Sequence, residues 1–131
     1  MGLESAQLKS VVIGPLSAAT NAEALWTVPN DATIASVKIA SVAGIAANDT
    51  DYFQLAVTNY GAAGSGSTVL AELDTRAAHE NALVAKVAEA ANLNTTATNL
   101  RVAAGDVVSV KGTKGGSATG DYSVTIAYRT R

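Results

Sequence analysis

The chain has 131 residues, is 48% hydrophobic and carries a formal net charge of −2, a length that fits one domain. Its nine Lys and Arg residues are scattered and make no phosphate-tracking patch, so nucleic acid is not an expected partner. There is no cysteine, hence no disulfide and no thiolate chemistry, and no run reaches the roughly 18 apolar residues of a membrane helix.

The apolar content is dominated by small side chains. There are 27 alanines against six aromatics: Trp26, Tyr52, Phe53, Tyr60, Tyr122 and Tyr128. Alanine buries little area, so the hydrophobic gain per core position is small. Docking on a partner, or on copies of the same chain, would add stability by mass action. The N-terminal "MGLESAQLKS" lacks the basic and apolar regions of a signal peptide, and Ala6 stands where a myristoylation motif needs Ser or Thr. The expectation is a soluble protein made and used without export.

Residues 1–9 read as an arm, either a frayed terminus or a segment that orders on a neighbouring subunit, with Leu3 and Leu8 as its apolar anchors. Residues 10–131 read as a single domain. Strand-like segments follow one another. "SVVIG" (10–14) is β-branched and stops at Gly14-Pro15. "EALWTV" (23–28) sets Ala24, Trp26 and Val28 on one face. "TIASVKIASVA" (33–43) alternates Val37 and Ile39 against Ser36 and Lys38. "DYFQLAVTN" (51–59) puts Phe53, Leu55 and Val57 opposite Tyr52, Gln54 and Thr58, the period of two of a half-buried strand. After the small-residue loop "GAAGSGS" (61–67), "TVLAELDT" (68–75) alternates Val69, Ala71 and Leu73 against Glu72 and Asp74.

"AAHENALVAKVAEAAN" (77–92) is rich in helix formers, and Leu83, Val84, Val87 and Ala91 fall near one helical face. The favoured expectation is a short helix near 80–91. The competing one is a further strand plus a loop. "TTATNLRVAAGD" (95–106) returns to β composition. "VVSVKGT" (107–113) and "DYSVTIAYR" (121–129) read as strands, the last with Tyr122, Val124, Ile126 and Tyr128 on one face. Seven or eight short strands with a turn every 8–15 residues predict an all-β, antiparallel β-sandwich, in the eight-strand jelly-roll arrangement. The immunoglobulin-like alternative lacks its Cys…Trp…Cys pattern.

Chemistry-bearing patterns are few. His79 is the only histidine; no serine sits in a G-x-S-x-G elbow, so no triad assembles around it. It reads as a solvated surface residue. "NDTD" (48–51) has oxygen ligands at close spacing, but Phe53 occupies the sixth position, where a calcium loop needs glycine; it reads as a polar turn bonding its own backbone. "KGTKGGSATG" (111–120) is no phosphate loop and reads as a projecting hairpin loop, a place to meet partners. No catalytic, cofactor or metal site is predicted, and the chain is not expected to be an enzyme.

Three stretches carry a resemblance: "NDATIASV" (30–37), "TDYFQLAVTNY" (50–60) and "LRVAAGDVVSVKGTKGGSATGDYSVTIAY" (100–128). Over roughly Trp26 to Tyr128 the chain resembles the decoration, or cement, proteins of tailed-bacteriophage heads. The resemblance implies a jelly-roll or related sandwich, often trimeric. Such proteins sit on the outer surface of an expanded capsid and stabilise it by bridging major capsid protein subunits. It implies a virion location after synthesis in the host cytoplasm, with the major capsid protein and the chain itself as partners. On that reading Leu3 and Leu8 anchor the arm, Tyr122 and Tyr128 build core or trimer contacts, and Arg129 and Arg131 meet acidic capsid groups. The alternative is a head- or tail-fibre module that binds host-surface glycan. A cellular β-sandwich adaptor or ligand carrier is the third.

Overall fold

Four nested antiparallel pairings build the molecule, wound so that every long strand but two acquires neighbours on both sides. A computed structural model describes residues 7–14, 21–76, 82–118 and 121–131. The strands are β1 (Gln7–Ile13), β2 (Asn21–Thr27), β3 (Ala32–Ser41), β4 (Phe53–Asn59) and β5 (Thr68–Asp74), then the short β6 (Ala88–Ala90), β7 (Asn92–Leu93) and β8 (Arg101–Val102), and finally β9 (Val107–Lys114) and β10 (Tyr122–Thr130). A 3-10 turn covers Ala97–Leu100. The innermost pair is the β4·β5 hairpin; around it β3 pairs with β6 and β8, β2 with β9, and β1 with β10. Rolling this ribbon sets β10 beside β3 and β9 beside β4. The result is one sheet ordered β1-β10-β3-β6, with β8 also on β3, facing another ordered β2-β9-β4-β5-β7. This is the strand order of a jelly roll, an antiparallel sandwich of two Greek keys.

The alternating patterns place the core between the sheets. Phe53, Leu55 and Val57 of β4 are buried, as are Tyr122, Val124, Ile126 and Tyr128 of β10. Two aromatic pairs join the layers: Phe53 stacks on Tyr122 with ring centroids 4.0 Å apart, and Trp26 of β2 lies 5.0 Å from Tyr128. In a core otherwise made of Val, Ile, Leu and Ala, these rings supply the largest buried areas. Gly112, inside β9, makes room for the Phe53 ring; a Cβ there would stand 2.9 Å from it. Thr75 is buried at the end of β5, and its hydroxyl accepts the Phe53 N–H at 2.8 Å. Among the described residues no buried side-chain polar atom lacks a partner, as a well-formed interior requires.

Several expectations are corrected. Gln7, Leu8 and Lys9 were placed in the arm, but they open β1 and pair with Tyr128, Ala127 and Ile126. The helix expected near 80–91 does not form over residues 82–91. Leu83 bridges Ile45, Ala85 bridges Ser41, and Ala88–Ala90 form β6. Lys86 has φ 61°, in the left-handed region, which no right-handed helix continues through. The rest of that expectation, 77–81 with His79, lies outside the described residues. Two strands change phase at bulges. Between β3 and β10 the register skips Ala35, and between β4 and β5 it skips Leu70. Leu70 and Ala71 are therefore both buried while Val69, expected inward, is exposed.

Candidate functional site

The predicted contact residues separate on folding. Tyr122 and Tyr128 are core residues and unavailable to a partner. Burial, with Asp121 nearby adding to it, pushes the Tyr122 phenol up to about 12. Arg131 is tied to its own chain: Nε donates to the Ala32 carbonyl at 3.2 Å and Nη2 to the Val102 carbonyl at 3.1 Å. It acts as a clasp joining the end of β10 to β3 and β8. Arg129 is exposed and on the outer side of β10, opposite Thr33. Leu8 is exposed on β1. Leu3 lies outside the described residues. Of the five that are described, Leu8 and Arg129 are exposed.

The loop at 115–118 does not project as expected. β9 and β10 belong to opposite sheets, so the connection between them is a crossover rather than a hairpin. It folds back on the "NDTD" turn. Asn48 Oδ1 accepts the N–H groups of Thr50 and Asp51 at 2.7 and 2.8 Å, the polar turn that the sequence suggests. Asp51 Oδ1 then accepts the Ser117 N–H at 2.7 Å and its hydroxyl at 2.9 Å. These Ser117 bonds, the backbone one foremost, hold the Asp51 carboxyl below its usual range. Gly116 is obligatory here: its φ is +60°, and a Cβ would stand 2.2 Å from Asp51 Oδ1. Among the described residues no group of three His, Cys, Asp or Glu is placed to hold a metal ion.

The two outer faces differ in chemistry. On the sheet ordered β2-β9-β4-β5-β7, register sets Thr113, Gln54 and Asp74 in one row and Lys111, Ala56 and Glu72 in the next. The small Ala56 leaves a depression, and these residues with Arg76 and Asn92 line a groove of about 450 Å³. One end of it is pre-organised. Arg76 pairs with Asp74 at 2.6 Å and Gln54 Nε2 donates to Asp74 Oδ2 at 2.8 Å. Burial alone would raise the Asp74 carboxyl, but the bonds from Arg76 and Gln54 outweigh it and hold it at about 2. Arg76 also stands 5.5 Å over the Tyr52 ring, a cation–π contact. Nearby the Ser109 hydroxyl donates to Glu23. Alternation had already put Gln54, Glu72 and Asp74 on the outward face; Lys111 and Asn92 join them through strand pairing, which no local pattern announces.

The opposite outer face carries mostly small side chains, with a cationic row, Arg129–Thr33–Arg101, toward one end. Its other rows read Leu8–Ala127–Ser36, Ser10–Thr125–Lys38 and Val12–Ser123–Ala40. At its end an apolar hollow of about 270 Å³ is lined by Val12, Ala40 and Val42 between Lys86 and Asp121. Small side chains on this face let another surface approach the strands closely. No family model matches this sequence, and none of the curated proteins matches it.

Proposed function

We propose that this chain is a structural virion protein that decorates the outer surface of a phage capsid and stabilises it by bridging major capsid protein subunits, as a homotrimer. The observation that carries this reading is where the resembling stretches fall. "TDYFQLAVTNY" forms β4 and "LRVAAGDVVSV…YSVTIAY" forms β8, β9 and β10. β4 and β9 are direct neighbours, and Phe53 of the first stretch stacks on Tyr122 of the second. The resemblance thus lies in strands of both sheets that meet across the core. Bridging needs no reactive group: about 800 Å² buried per partner is enough for specific association, and linked copies raise the effective concentration of each contact. A shell so clasped resists internal pressure because rupture must also break these contacts.

The polar groove favours one second reading, a fibre module that binds host-surface glycan. Glu72, Lys111, Asn92 and the fixed Asp74–Arg76 pair offer the donors and acceptors that hydroxyl-rich ligands need. Co-sedimentation with empty phage shells, run beside oligosaccharide binding, separates the two. Saturable shell binding with no glycan affinity supports decoration; glycan binding that Glu72→Ala removes, without shell binding, supports the fibre module.

A further inference from the structure

Three of the chain's four arginines, Arg101, Arg129 and Arg131, gather at one end of the sheet ordered β1-β10-β3-β6. Register sets Arg129 of β10 and Arg101 of β8 on either side of Thr33 of β3. The side chains of this row point outward, because their sequence neighbours Tyr128, Val102, Ala32 and Ile34 are buried. Neighbouring strands lie about 4.8 Å apart, so the two arginines rise about 10 Å apart with only a threonine between them. Arg131 completes the group. Its guanidinium reaches back over the same strands to the carbonyls of Ala32 and Val102, the residues next to Thr33 and Arg101. The chain has eleven Asp and Glu residues, yet among the described residues none forms an ion pair with these three arginines. The carboxylates at this end are turned to the 103–106 turn instead. Asp31 Oδ1 accepts the Ala104 N–H at 2.9 Å, and Asp106 Oδ2 accepts the Ala103 N–H and the Asn59 amide, each at 2.9 Å.

We propose that the Arg101–Thr33–Arg129 row, with Arg131 beside it, binds carboxylate side chains of a protein partner. Guanidinium suits this role: its planar fork offers a carboxylate two parallel N–H···O bonds, where lysine offers a point charge. The Thr33 hydroxyl, between the forks, adds a donor to an anion seated over it. A single exposed ion pair contributes little, so the affinity comes from several carboxylates meeting the row at once. The next row on the face, Ala127 and Ser36, is small enough for a protein surface to lie close. Two features disfavour nucleic acid. Single strands are held by stacking on exposed aromatics, and Tyr122 and Tyr128, the aromatics of this sheet's described strands, are buried. Duplex binding needs cations that follow the phosphates over many positions, whereas these three are confined to one end. The row rests on the proposed function only for the identity of its partner, the major capsid protein.

The test is titration of the full chain with hexaglutamate at low salt, followed by amide NMR shifts, for wild type, Arg101→Gln, Arg129→Gln and Lys114→Gln. The last removes the same charge from the other sheet. Arg101 and Arg129 are exposed, and unchanged urea midpoints will show that each variant is folded. Wild type is expected to give saturable shifts at Thr33, Arg101 and Arg129. Each arginine variant is expected to bind about tenfold more weakly, the scale of one hydrogen bond to a charged group, and Lys114→Gln to bind as wild type does. Absence of shifts at these residues, or equal weakening in all three variants, overturns the row. So does a single-stranded oligonucleotide, or inorganic phosphate, that moves the same signals at lower concentration than hexaglutamate. Shell binding is read separately. A wild type that binds hexaglutamate at the row but ignores phage shells keeps the row and overturns the decoration reading, while one that saturates shells but ignores hexaglutamate does the reverse.

Discussion

Phe53 shows how much of this molecule rests on single side chains. With only six aromatics and an alanine-rich remainder, the Phe53–Tyr122 stack supplies core area that no neighbour can replace. Phe53→Ala is expected to cost about 3–5 kcal/mol, a large share of the roughly 5–15 kcal/mol that holds a domain together. A urea melt checks this; a loss under about 1 kcal/mol would mean that the core closes over the gap, and the stack would not be the staple described above. Asp74 is the corresponding polar case. Its folded-state carboxyl sits at about 2 against an ordinary 3.8. A depressed carboxyl stabilises the fold fully above the ordinary value, and that contribution is lost as pH falls through about 2. Asp74→Asn should therefore flatten the stability profile between about pH 4 and 2 relative to wild type. Acid unfolding followed by tryptophan fluorescence will show it, since Trp26 is a core reporter; an unaltered acid limb would mean the Arg76 pair is screened out in solution.

At the scale of elements, the clean alternations were legible and their interruptions were not. β4 and β10 read correctly because each keeps one phase from end to end. β3 also reads correctly where the reading assigned faces, Val37 and Ile39 inward, although a bulge at Ala35 changes its phase nearer its start; in β5 the extra residue Leu70 reverses the inward face, and a bulge depends on the partner strand, which local pattern does not contain. The stretch 82–91 read as helix because Ala, Leu and Lys favour one. Tertiary context overrides that preference: Leu83 and Ala91 are buried by pairing with the sheets, while Val84 and Val87 stay exposed. The candidate surfaces were half visible for the same reason, since outward residues follow from alternation but their rows follow from register. The 115–118 loop offers a sharp test at this scale. Gly116→Ala meets both a positive φ and the Asp51 carboxylate, whereas Gly64→Ala meets a positive φ in open space. The Gly64 variant is expected to lose about 1–2 kcal/mol and the Gly116 variant clearly more. Equal losses would mean that the loop does not dock on Asp51.

For the whole molecule, β1·β10 pairing ties Gln7 to Tyr128, so nearly the full chain must be in place before the sandwich closes. Such a fold yields a sandwich whose two outer faces differ in chemistry. That is the physical sense of the proposed role, in which the groove and the opposite outer face serve as surfaces for contact. The most direct test of that proposal is the amount of protein that co-sediments with expanded, empty tailed-phage capsids as the free concentration rises. Binding that saturates at a fixed number of copies per shell, and shells that then survive heating that bursts bare ones, is the expected result. Protein that stays in the supernatant at every concentration would contradict the account.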